Sequence, residues 1–295
     1  MMFEPGNRGM AMLRAGVHRL ANAAGIAAFV LWVAPAGAQT EYRFSPVNQY
    51  GIQLTAAYWN PIIRHVSEKS GVKLVLKIGR TSADTTSYVL AQEVEFAFTN
   101  HLFSPEREKM GWKTIGRRQT PPIYGQIVTQ ADSPITDLAQ LAGAEVAFPG
   151  QEALVAYKFT YAQLLTRGIN VSVVFGGNMD GAFTQLFSGK VKAVGANSQL
   201  VEGYSQREGK KFRVLWTSEP VHDLALMVAP QVPEKDARAV ADAFVGMAKD
   251  PRGRELIHKV SEQVGLPVDA YFIRSDGSEY AAYRRFYQSA PPSLR

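Results

Sequence analysis

The chain has 295 residues, 46% of them hydrophobic and 20% charged, which is the balance of a globular protein with room for about two domains and excludes a disordered one. Its formal charge is a mild +6. The absence of cysteine excludes disulfide frameworks, thiolate catalysis, iron–sulfur ligation and cysteine zinc sites.

Residues 1–38 read as a secretory signal peptide. Arg8, Arg14, His18 and Arg19 give a basic start, an apolar stretch runs from Ala23 to about Pro35, and Ala36-Gly37-Ala38 is a small-x-small cleavage pattern. The apolar run falls short of the roughly 20 residues that a membrane span needs. The mature chain is therefore expected to begin near Gln39 and to work in a periplasm.

Tyr42 to Asn48 is a predicted strand, and Ile52 to Ser70 has helical spacing (Leu54, Tyr58, Ile62, Val66) that stops at Gly71. Strands follow at 72–78 and 95–99, with a short helix at 82–92 between them. Further strands are predicted at 123–129, 145–148, 171–175, 193–196, 212–216 and 224–229. Helices are predicted at 135–141, 153–167, 182–188 and 200–207, then at 234–249, 253–264 and 277–287. The basic pairs Arg117-Arg118, Lys210-Lys211 and Arg284-Arg285 read as solvated faces, because no basic stripe with interleaved aromatics marks a nucleic-acid surface. Tyr58 and Trp59 read as core.

Alternating strands and helices imply α/β architecture. Two βα series appear, one on each side of residue 129. The predicted arrangement is two lobes, each a mostly parallel sheet flanked by helices, joined by a two-strand hinge. Residues 39–128 and 222–295 would form lobe 1, and 129–221 lobe 2, with crossings near Val128 and His222.

No nucleophile elbow, P-loop, dinucleotide fingerprint or zincin motif is present. The five histidines are scattered, and the one-turn pair His65 and Glu68 has no second pair to complete a metal site. No catalytic residue, metal or cofactor is assigned, and the chain is read as a non-enzyme. In open α/β sheets ligands sit beyond the carboxyl ends of the strands. Those ends carry polar loops with Tyr50, Thr81, Ser82, Asn100, His101, Gln151, Glu152, Asn178, Met179, Asp180, Asn197 and Gln199, several of them leading into helix starts that favour anions. These twelve residues form the candidate ligand set.

Three stretches carry a family resemblance. VTQADSPITDLAQLAGAEVAFPG (128–150) resembles the start of the second lobe in the periplasmic phosphate/phosphite/phosphonate-binding proteins of ABC importers, the PhnD-like family. FGGNMDGAFTQLFSGKVKAVGANSQ (175–199) resembles that family's ligand loop, helix and following strand, and Glu95-Phe96-Ala97-Phe98 its first-lobe strand. The resemblance implies a type II periplasmic-binding fold, a small polar ligand of the phosphonate-like oxyanion class held by hinge closure, an inner-membrane ABC permease as partner, and a monomer. It also implies an altered site. Gln151-Glu152-Ala153 stands where the family has hydroxyls, Met179 where it has histidine and Gln199 where it has an acid, while Asp180 is kept. The competing readings are a receptor of the same fold that signals to a membrane histidine kinase, and an exported α/β enzyme.

Overall fold

The computed structural model describes residues 40–295, so the expected signal segment lies outside the described residues. The first sheet has six strands. They are β1 (Glu41–Pro46), β2 (Lys73–Leu76), β3 (Phe96–Thr99), β4 (Lys113–Arg118), β10 (Ala225–Val228) and β11 (Phe272–Ile273), in the spatial order β11-β4-β10-β3-β1-β2. The second has β5 (Gly125–Gln130), β6 (Glu145–Phe148), β7 (Ser172–Phe175), β8 (Ala193–Asn197) and β9 (Phe212–Thr217), in the order β7-β6-β8-β5-β9.

Helices α1 (Ile52–Ser70), α2 (Asp84–Leu90), α3 (Pro105–Glu108), α7 (Glu234–Gly246), α8 (Pro251–Val264) and α9 (Ala281–Ser289) belong to segments that supply the first sheet. Helices α4 (Thr160–Thr166), α5 (Met179–Phe187) and α6 (Ser198–Glu208) connect strands of the second. The α1 stripe behaves as its spacing predicts. Tyr58, Trp59, Ile62 and Val66 are buried, and the Trp59 ring packs 5.0 Å from both Phe44 and Phe98. Gly71, at φ 72°, closes that helix with a left-handed residue. Among the described residues no helix is long and apolar enough to cross a membrane.

The two-lobed α/β plan holds, but each sheet is mixed. Parallel pairing is confined to β2-β1-β3 in one and β7-β6-β8 in the other. Strands next to the lobe crossings run antiparallel: β10 against β3 and β4, and β5 against β8 and β9. The reason is topological, since a chain that leaves a sheet and returns enters it from the other end. β5 begins at Gly125, three residues before the crossing expected near Val128, and pairs wholly in the second sheet. The crossings are therefore 119–124 and 218–224. They touch through an isolated antiparallel bridge, in which Ile123 and Val221 exchange amide bonds of 2.9 and 2.8 Å.

Beyond α3, β4 and β11, which the sequence pattern does not predict, two expected helices take a different form. The helix expected at 153–167 opens as a π-helical turn, Leu154–Phe159, and becomes α-helical only at Thr160. The helix expected at 135–141 is a single 3-10 turn, Leu138–Leu141, held by a capping box between Asp137 and Gln140.

Candidate functional site

Between the sheets lies a cavity of about 40 Å³. A single water needs about 10–15 Å³ of such space, so it takes roughly three waters or one small solute. The first lobe contributes a polar wall: Asn48 and Gln49 beyond β1, Ser82 before α2, and Asn100 and His101 beyond β3. The second lobe contributes an apolar one: Ala153, Leu154, Val155 and Ala156 at the cap and first residues of the π-helical turn, Met179 at the start of α5 and Leu200 in α6, with Asn197 as its polar member. Asn48, Gln49, Asn100 and His101 gather beyond the ends of β1 and β3 because parallel strands point their carboxyl ends the same way, and Ser82 joins them from the loop between β2 and α2.

Ser82 is the telling residue. It is 2% exposed, it lines the cavity, and its hydroxyl has no hydrogen-bond partner. A buried hydroxyl left unpaired is costly, so its natural partner is a bound solute. His101 shares Nδ1 with Thr86 Oγ1 at 2.8 Å, and burial pushes its pKa down to about 3, so it faces the cavity as a neutral ring at pH 7. Asn197 turns its carbonyl oxygen to the Gln199 amide at 2.9 Å, capping α6.

Of the twelve sequence candidates, the cavity gathers five: Ser82, Asn100, His101, Met179 and Asn197. The others are placed elsewhere. Thr81 donates its hydroxyl to Asp84, Asn178 caps α5 through Gly181, and Gln151 is exposed. Tyr50 is buried with an unpartnered hydroxyl, outside the cavity lining, and its ring lies 5.4 Å from the Arg207 guanidinium. Gln199 accepts from Arg118 at 3.5 Å. Asn48 and the apolar wall were missed. Asn48 lies two residues past the end of β1, a position that could have marked it, whereas aliphatic side chains carry no such mark.

Groups expected to grip a ligand instead bind the opposite lobe. The Ser82 amide donates to the Gly177 carbonyl at 2.7 Å, and the Met179 amide to the Gln49 carbonyl at 3.1 Å. Asp180 accepts from the Gly51 amide of the first lobe at 3.3 Å and, within its own lobe, from Arg207 at 2.7 Å. Burial keeps the Asp180 carboxyl above its ordinary pKa despite Arg207. On the other rim Glu152 accepts from Arg107 at 2.5 Å. The lobes are thus closed on one another.

The Arg107–Glu152 pair makes closure pH-dependent. Burial raises the Glu152 pKa, but the Arg107 hydrogen bond and charge outweigh burial and hold it below its ordinary 4.5. A depressed carboxyl adds stability above its unpaired pKa and loses it as pH falls through the depressed value. Closure should therefore weaken below about pH 4.5 in the native chain. In Glu152→Gln the contribution, on the order of 1 kcal/mol for a half-buried pair, should be missing at neutral pH. Small-angle scattering across pH 3.5–7 checks this (about one unit below the ordinary value up to neutrality); identical profiles for the two proteins would refute it.

His65 and Glu68 do not form a metal pair. His65 lies against Asp250 at 3.3 Å and Glu68 against Arg252 at 3.1 Å, and among the described residues no group of three potential ligands converges.

Residues 44–270 match the family model described as ABC transporter, phosphonate, periplasmic substrate-binding protein. No curated protein matches the chain in sequence. Among solved structures the chain is similar to a binding protein component of an ABC phosphonate transporter from Pseudomonas aeruginosa, with TM-score 0.73, 12% identity and coverage of 85% of this chain and 87% of that one. It is also similar to a PhnD protein of Prochlorococcus marinus in complex with methylphosphonate, with TM-score 0.72, 10% identity and coverage of 84% and 97%. A third, from Xanthomonas citri and bound to ATP, has TM-score 0.64, 12% identity and coverage of 85% and 96%. At such identities these structures speak for the fold.

Proposed function

The chain belongs to the family of periplasmic phosphonate-binding proteins of ABC transporters, and from that premise we propose that it captures a small oxyanion in the cavity between its sheets and hands it to an inner-membrane permease. The observation that carries this reading is the buried, unpartnered Ser82 hydroxyl in a cavity lined from both lobes. The ligand's oxygens meet Ser82, Asn100, His101 and Asn197, and its remainder meets the aliphatic wall. All these side chains are neutral. The nearby guanidinium groups are engaged by carboxylates: Arg107 by Glu152, Arg118 by Asp223 and Arg207 by Asp180. Binding then relies on hydrogen bonds that strengthen as the cavity loses water.

Closure about the crossings 119–124 and 218–224 is the mechanism. The open form exposes both walls, and a ligand favours the closed form by its differential contacts with the two. The N-terminal segment 1–38 would direct export, and the chain would act as a monomer.

The test is calorimetry and thermal shift with methylphosphonate, phosphite and inorganic phosphate. At least one should raise the melting temperature of the native protein, since a ligand stabilises the form that binds it. Hydrogen bonds to a charged group contribute about 1.5–3 kcal/mol each. Ser82→Ala combined with Asn197→Ala should therefore weaken binding at least about a hundredfold. Full affinity in the double variant would remove this cavity as the site.

A further inference from the structure

We propose that α9 is a strap across the hinge, and that its grip on the second lobe sets how far the receptor rests closed. The proposal rests on the capture reading above. Tyr280, Tyr283 and Tyr287 recur at helical spacing, on the turn that leads into α9 and in α9 itself, and all three are buried. Tyr280 donates its hydroxyl to the Asp223 carbonyl at 2.6 Å, and Tyr283 donates to the carbonyl of His222. Both carbonyls belong to the returning crossing. The Tyr280 ring stacks on Phe103 at 4.6 Å, which anchors the strap to the first lobe.

The far end of α9 reaches the second lobe. Lys158 donates to the Tyr287 hydroxyl at 3.5 Å and lies 4.9 Å from the centre of its ring. The Phe286 ring packs 4.7 Å from Phe159. Lys158 and Phe159 sit on the π-helical turn, whose Leu154 and Val155 form part of the cavity wall. One element therefore touches both the cavity and the strap. Hinge bridge residues Ile123 and Val221 share a buried apolar cluster with Leu154, Val155 and the three tyrosines. Contacts from α9 to the hinge segment and to Phe103 stay within the first lobe's reach. Those from α9 to Lys158 and Phe159 tie it to the second lobe, and contacts that differ between the open and closed forms are the ones that shift the equilibrium.

The absence of native cysteine makes the test direct. Lys190→Cys and Lys235→Cys place labels on exposed residues of the two lobes. Distance distributions are then measured in the otherwise intact chain, with and without methylphosphonate. Phe286 is only half-buried, so Phe286→Ala removes the pair with Phe159 at little risk to folding. It should raise the open-to-closed ratio about fivefold, and Tyr287→Phe about twofold in the same direction. If the labels report two exchanging states whose ratio is the same in both variants, the strap is refuted and the capture reading stands. One narrow distance under every condition would overturn both.

Discussion

Asp223→Ala is expected to lower stability by about 3–5 kcal/mol, the cost of leaving a buried charge without its partner. For a chain of this size the melting temperature should fall by roughly 10 °C. Arg118 ends β4, Asp223 precedes β10, and the two side chains are 1% and 0% exposed. The Arg118 Nε donates to Asp223 at 2.7 Å, and its Nη1 donates to the Tyr58 hydroxyl at 3.1 Å. The guanidinium also lies 5.2 Å from the Phe98 ring. Burial works against the charged form of Arg118, but Asp223 outweighs it and the group stays fully protonated. Removing Asp223 strands that cation and also strips the Leu224 amide of its 2.7 Å acceptor. The double replacement Arg118→Met with Asp223→Leu should recover most of the loss, because it removes both charges from an apolar setting. Urea or thermal melts decide this. A melting temperature for Asp223→Ala within a degree or two of the native value would refute the argument.

That pair also shows where sequence reading stops. Arg117-Arg118 reads as a solvated basic pair, yet Arg118 lies deep at the hinge while Arg117 pairs with Glu279 at 2.9 Å. Strand β4 (KTIGRR) has no period-2 apolar pattern to predict it. Its neighbours explain why: at Gly116 a Cβ would stand 2.9 Å from the Ile273 carbonyl, so the strand is packed with glycine and a paired arginine in place of aliphatics. By contrast α1 and the parallel strands were legible, since their buried faces are aliphatic and aromatic and nothing but burial placed them. The candidate site was half legible for a related reason. Strand ends locate a cleft, so Ser82, Asn100, His101 and Asn197 could be named. Whether a loop amide meets solute or the opposite lobe depends on how the lobes close. No local pattern records that Met179 donates to Gln49 or Ser82 to Gly177.

Gly203→Leu should hold the lobes apart without unfolding either. Gly203 lies in the middle of α6, buried against the end of α8 from the other lobe. A Cβ on it would stand 2.8 Å from the Val264 carbonyl and 3.1 Å from that of Gly265. Gly265 closes α8 with φ +72°, and a Cβ there would lie 2.5 Å from the Gly203 Cα. Two backbones thus touch directly, and Arg207 clamps the contact by donating to the Val264 carbonyl at 2.9 Å. Within its own lobe the substitution is favourable, since leucine gains about 0.8–1 kcal/mol of helix propensity over glycine. Across the lobes it is an overpacking of about 1–3 kcal/mol against backbone that has no side chain to move aside. The cheapest relief is separation of the lobes, so the closed-to-open ratio should fall about ten- to a hundredfold, and ligand affinity with it. Gly203→Ala should give the same sign at smaller size. Scattering should show a larger radius of gyration for Gly203→Leu, with melting temperature nearly unchanged. The idea fails if the variant closes as readily as the native chain, for then the α6–α8 contact would have to persist in the open form and the hinge axis would lie elsewhere.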